Sequence, residues 1–198
     1  MSLRILAAAC LAPFSLAACQ TIATSAGAEP SAQAAAPQAA ASEALAALVE
    51  DYESFRLETD VFYAGRQGDL DAAARWPDLS PDALDAAAEA IAGFRQRLRA
   101  IDEAALSSSD AATHAVLEFV LDQRAMRAQF DTQRLPFTND SGFHTTPGYA
   151  ARTSRARTVE EAEAWLGRLR TLPDYLEQNR AWLAYGVETA WTQPAEIV

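Results

Sequence analysis

The segment from Thr158 to Val198 carries a row of apolar residues that predicts long helices. The members of this row lie three or four positions apart, with one polar break: Val159, Ala162, Leu166, Leu169, Leu172, Leu176, Asn179, Leu183 and Val187. Residues at this spacing share one face of an α-helix, so we expect that face to pack on a partner. Trp165, Tyr175, Trp182 and Trp191 add aromatic surface of about 150–250 Å² each.

This segment also contains residues that mark where helices start and end. Thr158 and Glu161 have the spacing of a capping box, in which each side chain satisfies a free backbone N–H of the first turn. Pro173 cannot continue a helix without losing a hydrogen bond. We therefore expect a kink or a fresh helix start near Thr171, and an end between Gly186 and Pro194.

Three upstream segments also have helical spacing. The first runs from Ser42 to Tyr63, the second opens at Ser80-Pro81-Asp82, and the third runs from Ser107 to Gln133. Ser at the cap and Pro in the first turn are typical of helix starts. The apolar face of the first helix comprises Leu45, Leu48, Val49, Tyr52, Phe55 and Phe62, and that of the second Leu84, Ala87, Ile91, Phe94, Leu98 and Ile101. The third helix is apolar on more than one face, which predicts a position between neighbours. The fold class is all-α, an antiparallel helical bundle.

Two turn-rich stretches separate these helices. The first, from Arg66 to Ser80, contains Trp76, which we expect to plug the helical body. The second, 135–157, is broken by Pro and Gly residues and is long for an idle loop. Its polar residues Asn139, His144 and Arg152 are the candidate cleft-lining residues.

The first residues resemble a lipoprotein leader. Arg4 precedes an apolar run that is too short to span a membrane, and Leu16-Ala17-Ala18-Cys19 has the pattern of a bacterial lipobox. We predict a signal peptide over 1–18, lipidation of Cys19, a flexible tether over 19–42 and a helical domain over 43–198. The alternative is an ordinary secretory signal cut after Ala18. Lipidation predicts an exported protein held to the membrane, on the periplasmic side of the outer membrane in a Gram-negative cell.

Charge and motifs exclude several other classes. The net charge of −11 argues against a nucleic-acid partner, which requires a clustered basic surface. His114 and Glu118 are four apart and could share a metal, but two ligands do not make a zinc site, so a histidine of the N-terminal turn beside a surface acid is favoured. The chain contains no His-Glu-x-x-His motif or phosphate-binding Gly-rich loop. We assign no catalytic residue, no metal ligand and no cofactor to this chain.

Three motifs in order resemble a known bacterial family. They are Leu79-Ser80-Pro81-Asp82-Ala83-Leu84 leading to Leu98-Arg99-Ala100-Ile101-Asp102, then Arg157 to Ala162 followed by Leu166 to Leu176, and finally Ala184-Tyr185-Gly186 with Gln193-Pro194. The chain from Ala44 to Val198 resembles the N-terminal portion of the family called domain of unknown function 885, many of whose members are lipoproteins.

The resemblance implies a larger, mostly helical protein similar to zinc metallopeptidases of the gluzincin type. In such proteins a His-Glu-x-x-His-like helix and a later Glu hold the zinc ion, and these elements would lie in a C-terminal part missing from this chain. We therefore expect the fragment alone to be inactive, with zinc and a peptide substrate belonging to the full-length parent. The alternative is a non-enzymatic, membrane-tethered helical binding or scaffold module.

Overall fold

The computed structural model describes residues 32–138, 140–154 and 156–194. Its α-helices are α1 (Ala32–Thr59), α2 (Val61–Gln67), α3 (Leu70–Ala73), α4 (Pro81–Arg99), α5 (Ser108–Ala128), α6 (Thr146–Thr153), α7 (Val159–Arg170) and α8 (Leu172–Glu188). Two 3-10 helices cover Glu103–Ala105 and Thr132–Arg134. Within these ranges there is no β-strand, only the isolated bridge between Phe137 and Gly142, so the all-α prediction is confirmed. None of the described helices is both long enough and apolar enough to cross a lipid bilayer.

The first core lies between α1, α4 and α5. It consists of the aliphatic and aromatic residues that the sequence pattern placed on inner faces: Leu45, Leu48, Tyr52, Ile91, Leu98, Leu117 and Leu121. The predicted caps position these helices, since Ser80 accepts the N–H of Ala83 and Ser107 accepts that of Asp110. The short connection between α4 and α5 makes them an antiparallel pair.

A second core forms around Trp76, which confirms the predicted plug. The Trp76 ring is buried and stacks on Tyr175 of α8, with 4.8 Å between ring centroids. Ala150 of α6 closes the cluster, and Phe62 of α2 meets the Trp76 ring edge-on. One indole therefore joins α2, α6 and α8.

Helix α1 begins earlier than predicted. It starts at Ala32 rather than at Ser42, so part of the predicted tether is helical. Pro37 lies inside the helix and removes one backbone N–H. The surrounding alanines, which have the highest helix propensity of any residue, offset this loss. The first helix also ends at Thr59 rather than at Tyr63, because Asp60 caps α2 by accepting the N–H of Tyr63.

The two predicted loops contain short helices. Residues 66–80 include the end of α2 and all of α3, and the 135–157 stretch includes α6. Pro147 is predicted to enforce a turn, but it occupies the first turn of α6. Backbone N–H groups in the first turn have no acceptor within the helix, so a proline there costs no helical hydrogen bond. The third predicted helix is α5, which ends at Ala128 rather than at Gln133. Val116 and Phe119 on α5 are each 65% exposed, so the prediction that this helix is sandwiched is wrong for the part of the chain that is described.

The predicted face of the last segment is also wrong. The segment is divided into α7 and α8 at Thr171, as Pro173 predicted, and Thr158 caps α7 by accepting the N–H of Glu161. However, the aliphatic row is largely exposed: Val159, Leu166, Leu169, Leu176 and Val187. The buried residues of these helices are Ala164, Arg168, Tyr175, Asn179 and Gly186. The helix positions were correct, but Asn179 is the one member of the predicted row that is buried, so the helices are rotated relative to the expectation.

Candidate functional site

A cavity of about 220 Å³ opens between α2, α3 and α7, beside the end of α6. Its lining combines apolar walls with a few polar groups: Phe62, Gly65, Arg66, Gly68, Leu70, Ala73, Thr153, Ser154, Glu161, Trp165 and Arg168. Sites for drug-sized ligands usually exceed about 300 Å³. This cavity therefore fits a group the size of a single amino-acid residue.

Arg168 is the most deeply buried charged residue of this lining. It is 5% exposed and lies two turns after Glu161 on α7, so both side chains lie on the helix face toward the cavity. Gly167 lets α7 approach α3 closely, since a Cβ there would lie 3.1 Å from the Cβ of Ala74. This close packing brings the Arg168 guanidinium between α3 and the aromatic residues.

The contacts of Arg168 leave its charge unneutralised. One Nη2–H donates to the carbonyl of Ala72 at 2.9 Å, and the guanidinium carbon lies 5.0 Å from the Phe62 ring centroid and 5.6 Å from that of Trp76. Nε is buried without a hydrogen-bond acceptor. Among the described residues, no carboxylate forms an ion pair with Arg168. A buried charge without a counterion is costly, which makes the site receptive to an anion.

Burial lowers the pKa of the Arg168 guanidinium below its ordinary value. An arginine nevertheless stays protonated in proteins, so the group remains a cation with donors in a planar fork. A carboxylate can accept two parallel hydrogen bonds from such a fork. The chemistry that this arrangement supports is recognition of a planar anion.

Trp76 fixes the backbone of Arg168 through a hydrogen bond. The Trp76 indole N–H donates to the backbone carbonyl of Arg168 at 2.7 Å, and the hydroxyl of Thr171 donates to the same oxygen at 3.2 Å. The Arg168 backbone is therefore tied to the second core independently of its side chain.

The polar groups at the edge of the cavity are of mixed sign. Arg66 is exposed and adds a second positive charge, whereas Glu161 adds a negative one. The Glu161 carboxylate is engaged, because Oε2 accepts the backbone N–H of Arg157 at 2.7 Å. The lining thus carries two guanidinium groups and one carboxylate that already has a partner.

Comparison with family models finds one match. The model described as "Bacterial protein of unknown function (DUF885)" matches residues 61–198. The chain belongs to the DUF885 family. The match includes every residue of the cavity lining and all of α2 to α8. No curated protein and no solved structure matches the chain.

Two of the three residues predicted to line a cleft in this DUF885 chain lie in the described ranges. His144 is exposed, with its ring edge-on to that of Phe143, and Arg152 is exposed on α6. Neither lines the cavity, although Thr153 and Ser154 directly after Arg152 do. Asn139 lies outside the described residues, as does the predicted lipidation site Cys19. These assignments stay predictions.

The sequence analysis did not select Arg168, which occupies a position outside the aliphatic row. The available signal was the pair of small residues beside it, Ala164 and Gly167. Small residues on a helix face indicate close approach of another element. Here the approaching element is α3, and Arg168 lies at the contact.

Proposed function

We propose that this DUF885 protein is exported and lipid-anchored, and that its helical part recognises a carboxylate group of a peptide. The observation that carries the proposal is the buried guanidinium of Arg168, which lines a residue-sized cavity without a carboxylate partner among the described residues. A substrate carboxylate would replace the missing counterion. The size of the cavity suits one terminal residue of a peptide or one acidic side chain.

The peptide as ligand class rests on the resemblance of the family to zinc metallopeptidases. Since the chain contains no His-Glu-x-x-His motif, we assign the peptidase reaction of that class to none of its residues. The role proposed for Arg168 is binding and orientation. It grips a carboxylate, while Phe62 and Trp165 exclude water from one side of the cavity.

Calorimetric titration of the full chain with tri-alanine tests the carboxylate. We expect the free acid to bind and the C-terminal amide to bind about 10- to 100-fold more weakly, since a hydrogen bond to a charged group contributes about 1.5–3 kcal/mol. Arg168→Met should lose the distinction between the two ligands. Arg170→Met, on the exposed side of the same helix, is the matched control and should behave as wild type.

Equal binding of acid and amide by the wild-type chain would rule out the carboxylate role. The same conclusion follows if Arg168→Met retains the preference. Circular dichroism of each variant establishes that the fold is intact before affinities are compared.

The lipid anchor is supported by the lipobox Leu16-Ala17-Ala18-Cys19. Metabolic labelling with a palmitate analogue should mark the wild-type protein and place it in the membrane fraction. Cys19→Ser should abolish both, while Cys10→Ser, the matched control in the same leader, should change neither. A soluble, unlabelled wild-type protein would instead favour the ordinary secretory signal.

A further inference from the structure

A second cluster of polar residues lies between α4, α5 and the 3-10 helix Glu103–Ala105, in a part of the fold that the cavity does not touch. It consists of Glu103, His114 and Glu118, each of which offers one ligand atom, and these atoms all lie within 4.8 Å of one another. His114 and Glu118 are one turn apart on α5, and Glu103 is the residue that the sequence pattern did not connect with them. The fold therefore supplies the third ligand that was missing from the sequence.

His114 is held in a form suited to bind a metal. Its ring is 4% exposed, and Nε2 lies 3.3 Å from the carbonyl oxygen of Leu98 near the end of α4. A carbonyl oxygen can only accept, so Nε2 must carry the proton in this contact. Histidine ligands of metals typically donate their other ring N–H in this way, which fixes the tautomer and the ring orientation.

The other ring nitrogen is left without a hydrogen-bond partner. Nδ1 of His114 is buried and unsatisfied, yet it lies 3.0 Å from Oε1 of Glu103. With the proton on Nε2, Nδ1 presents a lone pair toward a carboxylate oxygen. Two acceptors this close repel each other unless a cation lies between them.

We propose that Glu103, His114 and Glu118 bind one divalent transition-metal ion of the zinc class. One imidazole and two carboxylates are ligands that zinc accepts, and three protein ligands leave a fourth position for water. Ligand atoms of a tetrahedral zinc ion at about 2.1 Å lie about 3.4 Å apart, a value between the 3.0 Å that separates Nδ1 from Glu103 and the 4.8 Å within which all three atoms lie, so the two glutamates must shift slightly. They are able to do so, since the Glu103 side chain is 66% exposed and Glu118 is partly exposed.

The bound ion would connect the loop after α4 to α5. Glu103 opens the 3-10 helix, and Asp102 fixes that turn by accepting the N–H of Ala104 at 3.1 Å. A metal ion that binds the folded chain and not the unfolded chain stabilises the folded state by mass action. We therefore expect a rise in melting temperature with added zinc that is reversed by chelator.

The test uses the full chain, treated with chelator, dialysed and titrated with Zn²⁺, with Co²⁺ as the spectroscopic probe. We expect one ion per chain and a cobalt visible absorption spectrum of a four- or five-coordinate site. Glu103→Gln and Glu118→Gln should each weaken binding by at least about tenfold, because even loss of an outer-shell partner commonly costs that much. The double variant should bind no stoichiometric ion. These glutamates are exposed or partly exposed, so their replacement leaves the core intact even if His114→Gln does not fold.

Two matched controls complete the design. Glu89→Gln alters an exposed glutamate of α4, and His144→Gln alters the second histidine of the chain. Both should bind zinc as wild type does. The proposal is overturned if the chelator-treated wild type binds no zinc, if the double glutamate variant binds as tightly as wild type, or if His144→Gln is the variant that loses the ion.

Discussion

Helix α4 and the pair α7–α8 both carry an aliphatic row, but only α4 buries it. In α4 the buried residues are Ile91 and Leu98, two members of the predicted face. In α7 and α8 the predicted face is largely exposed, and the side chains of Arg168 and Tyr175 are buried instead. Aliphatic spacing therefore predicts the inner face between α1, α4 and α5, where the facing helices also present leucines.

Trp76 explains the difference. A buried tryptophan removes about 150–250 Å² from water, which stabilises the fold by about 4–6 kcal/mol at 25 cal/mol per Å². Burying one leucine contributes about 1.5–3 kcal/mol. The contact of α7–α8 with Trp76, which stacks on Tyr175 and donates its indole N–H to Arg168, thus outweighs the burial of any single leucine of the row.

Trp76→Ala should have the largest effect on stability. We expect a loss of about 3–5 kcal/mol in the free energy of unfolding, since the substitution removes the centre of the second core. Trp191→Ala, which alters a ring that is 36% exposed, should cost clearly less than Trp76→Ala. Urea unfolding followed by circular dichroism measures both. Equal losses would mean that Trp76 does not determine how α7 and α8 face the body.

A matched pair of leucines compares the two aliphatic rows directly. Leu98→Ala should destabilise the chain by about 2–5 kcal/mol because Leu98 is 2% exposed in the first core. Leu169→Ala in α7, where the side chain is 40% exposed, should cost less than about 1 kcal/mol. The same urea titration applies. A cost at Leu169 similar to that at Leu98 would contradict the exposed orientation of the row.

Two helical glycines should respond with opposite signs. A Cβ at Gly186 of α8 would lie 2.8 Å from the carbonyl oxygen of Arg134 and 3.0 Å from that of Trp191. Gly186→Ala should therefore destabilise by about 1–3 kcal/mol through overpacking. Gly93→Ala in α4 meets open space and should stabilise by about 0.5–1 kcal/mol through helix propensity. Thermal unfolding distinguishes them, and stabilisation by both would show that α8 does not pack closely on Arg134.

The smallest expected effect is a pH dependence of the stability of the contact between α1 and α5. The hydroxyl of Ser42 on α1 donates to Asp110 on α5 at 2.7 Å, and the Ser107 hydroxyl donates to the same oxygen at 2.9 Å. These bonds lower the pKa of the Asp110 carboxyl below its ordinary value of 3.8. Because the folded pKa is the lower one, the stabilisation is present above 3.8 and is lost as pH falls through the folded pKa.

Ser42→Ala should therefore reduce the difference in urea midpoint between neutral and strongly acidic solution. Ser54→Ala, on the exposed side of the same helix, is the matched control and should leave the pH profile unchanged. An unchanged profile in Ser42→Ala would mean that the bond between α1 and α5 does not form in solution.

The candidate sites were less predictable than the fold. His114 and Glu118 are visible as a pair at helical spacing, but Glu103 joins them only because the turn after α4 folds back on α5. No residue near Arg168 in the sequence indicates its role, since its side chain contacts the carbonyl of Ala72 and the rings of Phe62 and Trp76. Such contacts join residues far apart in the chain, and no local pattern records them.

The sequence by itself determined where α4, α5 and α7 begin and which residues form the first core. Ser80, Ser107 and Thr158 each cap a helix through an acceptor and an N–H only three residues apart, so the signal is entirely local. The tertiary structure decided which face of α7 and α8 is buried and which side chains surround Arg168. Those outcomes depend on a competition between surfaces that meet only after folding, and there the larger aromatic contact prevails over the regular aliphatic row.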